Sequence, residues 1–99
     1  MITIKDIIDL SKPHPVMNGG RVTRIGNNNV SFSIVGGARG LYGDFINDFE
    51  VAIFDKESGD FITKFFYPEA TDDVIGYMPG KDVESLVSKV LKDKDFQVR

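Results

Sequence analysis

Cysteine is missing from this 99-residue chain, and its absence removes disulfide frameworks, thiolate zinc sites and cysteine nucleophiles from consideration. A cysteine-free chain fits a reducing compartment. Histidine occurs once, as His14 between Pro13 and Pro15. Any histidine-dependent acid–base chemistry would have to use it, and two flanking prolines place it in an extended, exposed segment. No Gly-x-Ser-x-Gly elbow accompanies it. Long apolar runs are also lacking: nothing approaches membrane-spanning length, and the start MITIKDIIDLSKP has no uninterrupted signal-peptide stretch. Nor is there an excess of positive charge. Twelve basic residues face fifteen acidic ones, for a net charge of −3, and the lysines and arginines are dispersed beside acids. Generic nucleic-acid binding is disfavoured on that ground. These absences together lead us to expect a soluble, cytoplasmic, non-catalytic protein that needs no metal or cofactor.

What is present suits one small domain spanning residues 1–99. A hydrophobic content of 41% with eight phenylalanines can fill a core without staples. At this size the fold should bury roughly two-thirds of the surface its unfolded chain exposes.

The chain opens with Ile4, Ile7 and Ile8 at helical spacing. Thr3 is placed as N-cap and Asp6 as the acidic partner of a capping box, and Pro13 and Pro15 bar continuation. RVTRIG (21–26) and VSFSIV (30–35) follow as strands joined through Asn27-Asn28-Asn29, with Val30, Phe32 and Ile34 on one face and Ser31 and Ser33 on the other. FEVAIFDKESGDFITKFFY (49–67) reads as a second hairpin. A three-residue loop Glu57-Ser58-Gly59, with Gly59 left-handed in a G1 bulge, would pair Lys56 with Asp60. That register sets Phe49, Val51 and Ile53 on one face with Phe61, Phe65 and Tyr67. Phe54, Ile62 and Phe66 then fall on the other, with Glu50, Ala52 and Lys64. A four-residue loop would set Glu50 beside Phe61 and Phe65, so the bulged turn is preferred.

VIGYMPG (74–80) is either a fifth strand or an irregular turn. KDVESLVSKVLKD places Val83, Leu86, Val87, Val90 and Leu91 on one helical face, with Asp82 and Glu84 near the start and Lys89 and Lys92 near the end, matching the helix dipole. The tail, residues 93–99, is a frayed end or an edge strand through Phe96 and Val98. The expected class is α+β: a four- to five-stranded antiparallel sheet of two hairpins between an N-terminal and a C-terminal amphipathic helix, in the order α-β-β-β-β-(β)-α. Either one helix covers each sheet face, or both share a face and the other is left as an interaction surface.

Chemistry concentrates in IVGGARGLYGDFIND (34–48), where four glycines in eight positions surround Arg39. Phosphate loops aim consecutive backbone amides at the anion, usually from a helix N-terminus. GGARGLYG matches neither the Walker pattern nor the dinucleotide fingerprint, and a strand follows it. The segment is therefore expected to be a flexible connector between two hairpins. As a recognition loop, 36–48 would offer Arg39, Leu41, Tyr42, Asp44 and Phe45. The oxygen-rich clusters Asp44, Asn47, Asp48 and Glu50, and separately Asp55, Glu57 and Asp60, lack the spacing of an EF-hand, and their acids are expected to be solvated.

Three functions fit these features. The first is a protein-binding module using loop 36–48, such as a small inhibitor, adaptor or accessory protein of the bacterial or phage type that modulates a larger machine. The second is a binder of a phosphorylated small ligand or nucleotide through the glycine segment and Arg39. The third is a homodimeric structural protein assembling through the face carrying Phe54, Ile62 and Phe66. The first is favoured because no nucleophile–base set is present and because loops held by a sheet collect recognition residues.

Overall fold

Local signals account for the first helix, α1 (Ile4–Asp9). Thr3 Oγ1 accepts the Asp6 amide and the Asp6 carboxylate accepts the Thr3 amide, so both halves of the capping box are made. Glu84, from the last helix, supplies a third acceptor, its Oε2 lying 2.6 Å from the Ile4 nitrogen. A computed structural model describes residues 2–92 and 96–99. Beyond α1, the chain forms β1 (Lys12–Pro13), β2 (Arg21–Gly26), β3 (Val30–Gly36), β4 (Asp48–Asp55), α2 (Thr63–Phe66), β5 (Val74–Pro79), α3 (Gly80–Leu91) and β6 (Gln97–Val98). The fold is α+β, with a six-stranded antiparallel sheet.

The sheet path runs β1-β2-β3-β4-β5, and β6 joins the edge of β2 that β1 also uses. Lys12–Pro13 pair with Arg21–Val22, and Gln97–Val98 pair with Ile25–Gly26. Residues 93–95 of the tail lie outside the described residues. The β2–β3 hairpin closes as its sequence implies: Asn27 Oδ1 accepts the Asn29 and Val30 amides, and Phe32 faces Ile25 and Ile53 across the ladders.

Both long helices cover one sheet face, so the arrangement with one helix per face does not occur. Ile7 of α1 and Val83, Leu86, Val87 and Leu91 of α3 join Phe32, Ile34, Phe49, Val51 and Ile53 in a single buried cluster. Each such apolar side chain contributes on the order of 1.5–3 kcal/mol by leaving water. On the opposite face Ser31, Ser33 and Phe54 are half-buried and Arg24 is exposed.

The segment after β4 departs from the sequence reading in two ways. Gly59 is left-handed as expected, at φ 77°, but the loop has four residues. The Asp55 amide bonds Asp60 O, the Gly59 amide bonds Asp55 O, and Phe54 bridges to Phe61. The strand then stops, and residues 63–66 form one helical turn. The reason is competition for an edge. β5 occupies β4 from Asp48 to Ala52, leaving room only beyond it. There the buried Thr63 hydroxyl takes the Ile53 amide at 2.9 Å and reaches Asp73 O at 2.6 Å, turning the chain away. The clash of Glu50 with Phe61 and Phe65, which argued against a four-residue loop, never arises because the pairing ends at Ile62. Ile62 and Phe66 pack against the core and do not share a face with Phe54, whereas Phe61 and Phe65 are exposed.

Candidate functional site

The glycine-rich connection between β3 and β4 is fastened at nearly every step. The Leu41 amide closes a turn on Ala38 O, with Arg39 exposed at its tip, and the Gly37 amide bonds Gly43 O at 2.9 Å. Gly37 and Gly40 have φ of 86° and 94°, while a Cβ on Gly43 would lie 2.8 Å from Asp48 O and Phe49 Cα. The glycines thus serve tight turning and close backbone approach.

Carboxylates organise the second half. Asp44 Oδ1 accepts the amides of Ile46, Asn47 and Asp48 at 2.8, 2.7 and 3.1 Å, and Asp48 Oδ1 accepts the Asp44 amide at 2.8 Å. The Ile46, Asp48 and Asn47 amides stabilise the ionised form of Asp44 and bring its carboxyl down to about 2 from 3.8. Glu50 Oε1 takes the Tyr42 amide at 3.1 Å. The amides of Tyr42, Asp44, Ile46, Asn47 and Asp48 are therefore held by the protein's own carboxylates, whose charge would repel a phosphate placed beside them. In the second acidic cluster, Asp55 Oδ1 accepts the Glu57 and Ser58 amides and shapes the following turn.

The five loop residues singled out by sequence have different fates. Arg39 and Tyr42 are displayed. Leu41 is half-buried over Gly20, where an added Cβ would lie 3.1 Å from its Cδ1. Asp44 serves as the internal anion. Phe45 is 4% exposed and packs edge-on against Phe49 with centroids 5.1 Å apart, so it anchors the loop and is not available to a partner. Phe45 holds φ at 62°, a conformation costing roughly 1–2 kcal/mol that its burial offsets. The segment is a braced platform rather than a loose connector.

Tyr77 is the residue that sequence reasoning missed. β4 and β5 lose register between Phe49 and Val51, where Gly76 and Tyr77 together oppose Glu50. At this bulge Tyr77 adopts φ 53°, and its amide turns to Tyr42 O at 2.7 Å. Gly76 leaves space for Tyr42, whose Cβ would sit 3.0 Å from a Cβ added there. The two rings meet at 6.0 Å and 42°, with Tyr42 51% and Tyr77 62% exposed. The signal for this was the glycine inside an apolar strand pattern in VIGYMPG, which marks a bulge or a close approach.

His14 is half-buried and has structural work: its Nδ1 accepts the Val16 and Met17 amides at 3.1 and 3.0 Å. Among the described residues no group of three or more acidic or histidine side chains could hold a metal ion, and no helix is long and apolar enough to cross a membrane. No protein-family model, curated protein or solved structure matches the chain. Function is accordingly read from the geometry.

Proposed function

We propose that this chain is a non-catalytic protein-binding module, a small cytoplasmic inhibitor, adaptor or accessory protein, whose recognition surface is loop 36–48 together with Tyr77. The observation that carries this reading is the exposed Tyr42–Tyr77 pair, held on a loop whose backbone is braced from within. Tyrosine and arginine are the usual anchors of protein interfaces, and a braced loop loses little freedom on binding. Backbone strain at an exposed tyrosine fits the same role, since strained residues collect at binding sites.

The double variant Arg39→Glu, Tyr42→Ala tests it. Both side chains are exposed, so the melting temperature should move little. Affinity capture from the native host should then lose the protein that the wild type retains; retention of that protein by the variant would overturn the reading.

A second reading, a homodimer through the other sheet face, draws on the tilted Phe54–Phe61 pair, with centroids 4.6 Å apart and Phe61 exposed. A monomeric mass in solution would remove it.

A further inference from the structure

We infer that the Tyr42–Tyr77 pair, with the Glu50 carboxylate that holds the Tyr42 amide, is a receptor for one cationic side chain, an arginine or lysine presented by the protein partner. The inference rests on the protein-binding reading of this loop and specifies the partner's chemistry.

Three features converge. An aromatic ring carries negative potential on its face and attracts a cation within about 6 Å of its centroid. Here two exposed rings lie together, and neither phenol takes part in a side-chain hydrogen bond among the described residues. The Glu50 carboxylate, 3.1 Å from the Tyr42 amide nitrogen, adds an anionic group beside the pair. It opposes the bulged Gly76 and Tyr77, and the Tyr42 amide on its Oε1 fixes its position. The arrangement is also built rather than incidental. Tyr77 reaches its place only by adopting a left-handed backbone and giving its amide to Tyr42 O, and residue 76 must be small for Tyr42 to fit. Arg39, exposed at the neighbouring turn, contributes a positive charge, so the surface suits a single cation better than a polybasic stretch.

The test is an NMR titration of the full chain, following the ring signals of Tyr42 and Tyr77. The probes are acetyl-Gly-Arg-Gly-amide and the same peptide with citrulline, which keeps the shape and removes the charge. The arginine peptide should shift both rings saturably and the citrulline peptide should not. Tyr77→Ala should weaken the arginine peptide roughly threefold or more. Glu50→Gln should weaken it similarly while its amide oxygen keeps the Tyr42 hydrogen bond, so this variant stays folded around the same loop. No ring shift with the arginine peptide, or equal shifts with citrulline, would overturn the inference. Partner capture reports separately. If Arg39→Glu, Tyr42→Ala abolishes capture while the arginine peptide leaves the rings unmoved, the loop is a recognition surface and the cation receptor is wrong. If capture survives that double variant, the protein-binding reading itself is wrong.

Discussion

The two connections at the ends of β4 use the same local device to different ends. In each, one aspartate gathers successive backbone amides: Asp44 takes those of Ile46, Asn47 and Asp48, and Asp55 takes those of Glu57 and Ser58. In each, glycine adopts a left-handed conformation where the chain reverses. The entering loop adds a plug, Phe45, buried against Phe49, and two further carboxylates, Asp48 and Glu50, reaching in from the strand. The leaving turn has neither, and its Phe61 ends on the surface. An aspartate can thus shape a turn by itself, but a long loop becomes a platform only when a side chain ties it to the core.

Removing the plug should break this contrast most severely. Phe45→Ala should cost about 3 kcal/mol in denaturant unfolding, from lost burial and the cavity left behind. A loss below about 1 kcal/mol would mean that the carboxylates alone brace the loop.

Glycine substitutions sharpen it. Gly43→Ala drives a methyl into Asp48 O and the Phe49 backbone and should cost about 2 kcal/mol. Gly59→Ala meets open space and should cost only the left-handed strain, about 1 kcal/mol. Equal losses in the same unfolding measurement would erase the distinction between packed loop and open turn.

The smallest effect concerns pH. The folded Asp44 carboxyl is depressed from 3.8 to about 2, so its contribution is fully present above the unfolded value and is lost as pH falls from 3.8 towards 2. Asp44→Asn keeps an acceptor oxygen and removes the titration. The wild type should therefore lose stability more steeply than the variant across that window; parallel curves would show that ionised Asp44 adds nothing.

Legibility followed the range of the interactions. The capping box of Thr3 and Asp6, the alternation of Val30, Phe32 and Ile34, and the helical face of Val83, Leu86, Val87 and Leu91 depend on neighbours a few residues away. Each was readable, as was the left-handed Gly59. The segment 60–67 was misread because FITKFFY alternates well enough to make a strand. Nothing local reveals that β5 will claim the same edge of β4 or that Thr63 will cap Ile53. Phe45 looked like a recognition residue because an aromatic in a polar loop carries no mark of the pocket it fills.

Composition and periodicity by themselves determined the α+β class, the strands β2, β3 and β4 with the reversal between the first two, and both amphipathic helices, because dihedral preference and side-chain spacing act over single turns and pairs. Tertiary structure decided which face the helices share, where β4 exchanges partners, and that Tyr77 comes to rest beside Tyr42. Those outcomes turn on competition for one sheet edge and on a backbone donor, the Tyr77 amide, finding its acceptor in Tyr42, far back in the sequence, a contest that only the folded chain can resolve.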